Sequence, residues 1–305
     1  MTQLARLAEV WRGPAVESVH HGVVAVADAD GAILRAWGNP ELTTFPRSSL
    51  KPFQVLALME SGAADSLSDE HVALACASHR AEPFQVRMVG DWLARMALPE
   101  SALVCGPAYP MGEHDLVAAI RVGEKRRAFH NCSGKHCGFL AAARALGAPT
   151  AGYEDPTHPA QQHWLAAFSE LLGQDAAARH AAAAVADPRR AAALRRIHAA
   201  IAAHPDHLSG RDAPTSKVVR ATDGRVLMKN GAEGFVIAFV PERGLGIAIK
   251  MADGASRGKM AVLATLLGRL GLLSEDHAAK LVGVVEDPIL DSNGRSAGRI
   301  VPILA

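Results

Sequence analysis

The sequence is poor in several features that mark whole classes of protein. Aromatic residues make up only 5% of its 305 residues, too few for the platforms that stack the bases of single-stranded nucleic acids. Lys and Arg (32) balance Asp and Glu (31), which leaves a net charge of +1. Neither a nucleic-acid footprint nor a basic membrane-binding patch is therefore indicated. Four cysteines are too sparse for a disulfide-linked scaffold.

Long apolar segments are also missing. No apolar run approaches the roughly 18 residues of a membrane-spanning helix, and the first residues carry charge early, without the apolar core of a signal peptide. We therefore expect a cytoplasmic protein with reduced thiols. The chain does have 49% hydrophobic and 21% charged residues, a balance typical of a globular protein that buries a large core.

Hydrophobic periodicity predicts strands at both ends of the chain and helices between them. Apolar runs at 23–27 and 33–37 flank a turn rich in Asp and Gly, which is typical of a β-hairpin. From about 48 to 203 the apolar spacing and the alanine content favour helices. Strands are expected again at 225–250, and a helix follows at 258–272. The pattern predicts the α/β (α+β) class, with a sheet built from N- and C-terminal strands and a helical middle.

The first chemical signal is the segment Ser48-Ser49-Leu50-Lys51. Residues three apart on a helix share a face, so Ser48 and Lys51 come within reach of each other. A lysine amine can take the proton of a serine hydroxyl when burial or a nearby positive charge lowers its pKa. Penicillin-binding proteins and class A β-lactamases use this spacing in that way. Taken alone, the same pattern also occurs on solvated helix surfaces.

A second signal is Lys229-Asn230-Gly231-Ala232-Glu233-Gly234, between two predicted strands. Its two glycines allow the backbone to approach a ligand closely, and successive N–H groups can surround an anion. The alternative is an ordinary turn at a strand edge. Lys250 ends the next apolar run and is followed by Asp253-Gly254; such a lysine is commonly just solvated.

A third signal is the segment from His130 to Gly138, in which Cys132 and Lys135 lie at a predicted helix start. The helix dipole would lower the pKa of a thiol there. The spacing differs from that of the usual cysteine pairs in structural zinc sites. Of the other histidines, His79 is expected to be a cap or a dipole partner at the C-terminal end of a predicted helix at 68–78, and His198 is expected to be a surface or capping residue.

Together these segments resemble one family. The chain is similar to the bacterial asparaginase II family, the Rhizobium etli type of L-asparaginases, over about residues 15–270. The matching segments, in chain order, are 16–20, 47–54, 76–79, 131–136, 158–159, 229–234, and 246–250 with 253–254.

The resemblance implies one asparaginase-type catalytic domain over 1–305, similar in fold to serine β-lactamases and glutaminases. The order of strands and helices leaves two arrangements open for a helical insertion at about 48–210, which either covers one face of the sheet or forms a second lobe. It also implies a homodimer that hydrolyses L-asparagine to L-aspartate and ammonia. In the family two Ser–Lys pairs carry the chemistry, and the matching residues are Ser48 with Lys51 and Ser78 with Lys250. Ser48 is the expected nucleophile and Lys51 its base, although neither spacing nor resemblance decides which serine attacks.

Substrate recognition can be outlined from charge. The α-carboxylate of asparagine needs a positive partner, for which Arg47 is the candidate. Its α-ammonium needs a carboxylate, for which Glu233 is the candidate. An oxyanion hole is expected from the backbone of Ser48 and of the loop around Gly231 and Ala232. Two alternatives stay open: a related serine acyl-transfer enzyme of the glutaminase or β-lactam-binding type, and a catalytically impaired homologue that binds amino acids.

Family members also carry zinc beside the substrate pocket. The first half of that site matches here as Cys132 and Lys135. The second half, an Asp-Gly-Cys segment expected near residues 180–190, is missing, because the chain is shortened there and has no cysteine after Cys137. One thiolate and one amine do not complete a tetrahedral zinc site. We therefore predict that zinc binds weakly or not at all and that no cofactor is required.

Overall fold

The computed structural model describes residues 3–172, 187–285 and 289–304. These residues form two compact units. The first holds residues 3–50 and the described chain from Lys217 onward, and the second holds 51–172 and 187–216.

The first unit is built on one antiparallel sheet. Among the described residues it has eight strands, in the order β4-β5-β6-β2-β1-β8-β7, with β3 paired to β2 on the same edge as β1. N-terminal strands thus pair with C-terminal ones, which confirms the predicted α+β class and the origin of its sheet. The strands are β1 Ala5–Arg12, β2 Ala15–Ala27, β3 Ile33–Trp37, β4 Leu227–Asn230, β5 Phe235–Val240, β6 Leu245–Met251, β7 Ile289–Leu290 and β8 Ser296–Pro302.

Two α-helices lie wholly within the described part of this unit. Helix α10 (Lys259–Arg269) contacts β1, β6 and β8 through a buried apolar stripe that includes Val262, Leu263 and Leu266. Helix α11 (Glu275–Val285) packs on α10. Because the stripe repeats at helical spacing, α10 confirms the helix predicted at 258–272.

The second unit is helical, and α1 lies at its centre, in contact with α2, α5, α6 and α7. An almost continuous apolar sequence explains this, since the first eight residues of α1 are nearly all buried. The helices are α1 Lys51–Glu60, α2 Asp69–Ala75, α3 Pro83–Arg95, α4 Glu113–Val122, α5 Ser133–Ala145, α6 Pro159–Leu172, α7 Pro188–Ala203 and α8 Pro205–Ser209, and α9 (Pro214–Ala221) runs across the boundary of the two units. The part of the predicted 176–203 helix that precedes α7 lies outside the described residues.

Gly22 in β2 allows this strand to lie close to its neighbour β6. A Cβ there would overlap the carbonyl oxygen of Lys250 and lie 2.8 Å from Cδ1 of Leu7. We expect Gly22→Ala to lower the free energy of unfolding by about 2 kcal/mol or more in urea titrations, because backbone cannot move aside as a side chain can.

The matched control is Gly90→Ala in the exposed interior of α3, where no atom lies within 4 Å of the new Cβ. Higher helix propensity should stabilise this variant by about 1 kcal/mol. Equal stability of the two variants would contradict the packing described for the sheet.

Candidate active site

In the first unit, a 3-10 helix over Arg47–Leu50 carries two candidate residues. Ser49 is fully buried, and its hydroxyl donates to the carbonyl of Pro46 over 2.6 Å. This anchor leaves Ser48 half-buried and Arg47 exposed. Arg47 has a φ of 55°, a left-handed conformation that costs a non-glycine residue about 1 kcal/mol. Ser49 thus anchors the turn, while Arg47 and Ser48 remain partly or fully accessible to solvent.

The loop after β4 packs on this turn. A Cβ on Gly231 would lie 2.7 Å from the Pro46 carbonyl oxygen and 3.5 Å from the Ser49 nitrogen, so only glycine fits there. The N–H of Gly231 donates to the carbonyl of Phe235 over 2.9 Å. Gly231 therefore permits the close approach, while its own N–H is used within the hairpin.

The tip of the same hairpin is a turn with positive φ at two positions, Glu233 (58°) and Gly234 (67°). This is the mirror-image turn that suits the twist of paired strands. The Nζ of Lys250 donates to the carbonyls of Glu233 and Met251, each over 2.6 Å. The first unit thus brings together Lys250 and the Gly231–Glu233 loop, and it packs that loop against the turn carrying Ser48.

A buried histidine fixes the turn that follows Lys250. Nδ1 of His20 lies 2.5 Å from Oδ2 of Asp253, and Asp253 also accepts from the N–H of Ala255 over 3.0 Å. A Cβ on the next residue, Gly254, would lie 2.6 Å from Oε2 of Glu233. The Glu233 carboxylate is therefore packed against this turn.

In the second unit, Lys51 is the first residue of α1 and is only 3% exposed. Its amine donates to the carbonyl of Ala77 over 2.5 Å and lies 3.1 Å from Oγ of Ser78. Burial lowers the pKa of Lys51, and Lys135 lowers it further, whereas Cys132 opposes the shift. A buried amine beside a serine hydroxyl is the arrangement that general-base chemistry requires.

Ser78 lies on an irregular segment that follows α2. The predicted helix over 68–78 ends at Ala75, because the N–H groups of Ser78 and His79 donate to carbonyls outside the helix, at Leu208 (3.0 Å) and Asn131 (3.2 Å). The expectation that His79 caps this helix was wrong. His79 is fully buried and bonded to Ser133.

Cys132 directly precedes α5 and interacts with the Lys51 amine. Burial alone would raise its pKa, but a hydrogen bond with His130 and the amines of Lys51 and Lys135 lower it to about 6. Burial lowers the pKa of Lys135. A Cβ on Gly134 would collide with Leu74 of α2, so glycine in this motif allows α5 to approach α2 closely.

The donors present do not fit the zinc site of the resembled family. Cys132 and Lys135 offer one sulfur and one nitrogen, and no group of three His, Cys, Asp or Glu side chains in the described part of the chain could hold a metal ion. The segment in which the second half of the site is missing falls mostly within residues 173–186, which lie outside the described residues. No step of the chemistry below is therefore assigned to a metal.

Nearly the whole chain matches one known protein family. The family model described as L-asparaginase II matches residues 8–183 and 175–302. The chain belongs to the L-asparaginase II family. It is thus a member of a family of amidohydrolases that act on a small amide, asparagine. No curated protein matches the sequence, and no helix in the described ranges is long and apolar enough to cross a membrane.

Several residues that neighbour the candidates were not predicted as site residues, among them His20 in the first unit and His79, His130 and Ser133 in the second. Their signal in the sequence was membership of the same short motifs as the candidates. His198, expected at the surface, is buried in α7.

Two buried histidines predict that the fold is sensitive to acid. Burial lowers the pKa of His79 to about 3 and that of His198 to about 4. Both lie below the unfolded value of about 6.5, so the unfolded chain binds more protons between pH 4 and 6.5. Stability is therefore complete above pH 6.5 and is lost as the pH falls. Urea titrations across this range should show a declining free energy of unfolding.

His198→Gln should reduce this slope by up to about 1.4 kcal/mol per pH unit. The control His114→Gln, whose side chain is 97% exposed, should leave it unchanged. A stability that does not vary between pH 4 and 6.5 would contradict the burial of these imidazoles.

Proposed function

We propose that this protein hydrolyses L-asparagine to L-aspartate and ammonia with a serine nucleophile and a lysine base, as a Rhizobium etli type asparaginase. Membership of the L-asparaginase II family supports the substrate class. The observation that supports Lys51 as the base is that this residue is only 3% exposed and its amine lies 3.1 Å from Oγ of Ser78. A buried amine gives up its proton more readily than a solvated one.

The reaction runs through an acyl-enzyme. The Ser48 hydroxyl adds to the side-chain amide carbon of asparagine, and its proton passes to Lys51. The tetrahedral adduct then takes this proton on nitrogen, expels ammonia and leaves an aspartyl ester on Ser48. Water, deprotonated in the same way, hydrolyses the ester and releases aspartate. Ser78, whose hydroxyl lies beside the Lys51 amine, relays protons with Lys250 as the second pair.

Two charged residues in the left-handed backbone conformation position the substrate. Arg47 (φ 55°) carries an exposed guanidinium next to Ser48 and binds the α-carboxylate. Glu233 (φ 58°) binds the α-ammonium. Strained residues of this kind cluster at binding sites, where the conformation aims the side chain.

Replacing the nucleophile gives the first test. We expect Ser48→Ala to abolish ammonia release from asparagine while the melting temperature stays within a few degrees, since Ser48 is only half-buried and the turn is anchored by the hydroxyl of Ser49. Ser61→Ala, which removes a hydroxyl bonded to the Leu58 carbonyl at the end of α1, is the control and should keep its activity.

Full activity of Ser48→Ala would remove this serine from the mechanism. Peptide mapping of acid-quenched enzyme then identifies the acylated serine, with Ser78 as the alternative nucleophile. Parallel assays with glutamine and a chromogenic β-lactam separate the asparaginase from the related acyl-transfer enzymes. Asparagine binding without turnover on any substrate would point to a catalytically impaired homologue.

Two substitutions of Glu233 separate the effect of its charge from the effect of its strained backbone. Glu233→Gln removes the charge and should raise KM for asparagine at least about tenfold, because a charge-assisted hydrogen bond contributes about 1.5–3 kcal/mol. Glu233→Gly should raise KM equally but stabilise the fold by up to about 1 kcal/mol, because glycine adopts positive φ without strain. Steady-state kinetics with unchanged KM in both variants would exclude Glu233 from substrate binding.

Zinc is not part of this proposal, because the chain lacks the second cysteine of the family site. We expect dialysis against a chelator to leave the rate of ammonia release unchanged. Strong loss of activity that added zinc restores would mean that other ligands complete the site. A homodimer, implied by the resemblance, is tested by light scattering during gel filtration.

A further inference from the structure

The segment that carries Ser78 is held along its whole length. Each of the six consecutive backbone N–H groups from Ala77 to Glu82 donates a hydrogen bond. Loops usually leave such groups to water, so this segment is unusually fixed. The acceptors, in order, are the carbonyls of Leu74, Leu208 and Asn131, then Oε1 of Gln85, Nδ1 of His79 and again Oε1 of Gln85.

His79 is the side chain that ties this segment to the next motif. It is fully buried, and its Nδ1 accepts the N–H of Ala81 over 3.1 Å. Nδ1 therefore carries the lone pair, and the ring proton of the neutral imidazole is on Nε2. That N–H donates to Oγ of Ser133 over 2.7 Å, and the Ser133 hydroxyl donates to the carbonyl of Ala128 over 3.0 Å.

The two segments joined in this way surround the Lys51 amine. Ala77 and Ser78 contact it directly, over 2.5 and 3.1 Å, and Cys132, next to Ser133, interacts with it electrostatically. His79 directly follows Ser78 in the chain, and its side chain is hydrogen-bonded to Ser133, the residue after Cys132. Both of its ring nitrogens are therefore used within the protein.

We propose that His79 is a positioning residue: as the Nε2–H tautomer it fastens the Ala77–Ser78 segment to Ser133 and so holds the Lys51 amine and the Ser78 hydroxyl in reacting geometry. This inference rests on the proposed function. A displacement of about 1 Å at a reacting group can reduce a rate about a hundredfold, so loss of this bond should act on kcat rather than on KM.

Two substitutions separate the two ring nitrogens. His79→Gln places an amide nitrogen near the position of Nε2 and keeps a donor for Ser133, whereas His79→Asn keeps an acceptor for Ala81 and loses that donor. We expect His79→Asn to lower kcat about 10- to 100-fold with KM within about threefold of wild type. His79→Gln should retain kcat within about threefold.

A second histidine–serine pair serves as the control. His71 is also buried, in α2, with Nδ1 2.8 Å from Oγ of Ser68. His71→Gln should lower the melting temperature without changing kcat per folded molecule. Equal kcat for wild type, His79→Asn and His79→Gln would overturn the proposal. So would equal losses in both His79 variants, because the donor to Ser133 would then not be the contact that matters.

Two readouts do not depend on turnover. Nitrogen NMR of the wild type at pH 7 should show His79, assigned by its loss in His79→Gln, as the Nε2–H tautomer. Hydrogen exchange of the N–H groups of residues 78 and 79, which donate to the carbonyls of Leu208 and Asn131, should be faster in His79→Asn than in His79→Gln. An Nδ1–H tautomer or identical exchange would overturn the proposal. If the wild type turned over no substrate while both results held, the proposed function alone would fail.

Discussion

The amine of Lys51, shielded from water at the start of the central helix of its unit, is the interaction on which the proposed chemistry depends. Burial disfavours its charged form, and the Ala77 carbonyl and Ser78 hydroxyl fix its position. A solvated lysine would be protonated at neutral pH and could not accept a proton from serine. The apolar sequence that buries α1 is therefore also what makes Lys51 a candidate base.

In the first unit, glycines allow the backbone to pack closely around the candidate residues. Gly231 packs on the Pro46 carbonyl, and Gly254 packs on the Glu233 carboxylate. At both positions a Cβ would collide with the neighbouring atoms. Close packing is therefore the reason that these motifs contain glycine. The left-handed conformations of Arg47 and Glu233 are kept within this tight frame, which is the usual setting for strain at functional sites.

The sequence predicted the sheet and most helices well, because those elements depend on local periodicity. Strand β1 was not predicted. Register shifts between Arg6 and Ala8 and between Val10 and Trp11 mark irregular pairing that breaks the period-two pattern on which such predictions depend. The end of α2 was placed too late, since its alanines favour helix while the N–H groups of the next segment find partners far away in sequence.

The candidate residues could be found from motifs, but their partners could not. Lys51 and Ser78 lie 27 residues apart in the chain, and His79 and Ser133 lie 54 apart; no local pattern encodes such contacts. The spacing of Ser48 and Lys51 suggested one pair, which stays a prediction, and the contact that the structure shows is the one between Lys51 and Ser78. The structure also supplies Lys135 as a like-charged neighbour that lowers the pKa of Lys51.

The most direct test of this account is an NMR titration of the lysine side chains, with the Lys51 signal identified by its loss in Lys51→Met. The account predicts that Lys51 titrates well below the usual value near 10.5, so that a neutral amine is available at the pH of turnover. Titration at or above that value would mean that the ammonium persists, and Lys51 could not then be the base.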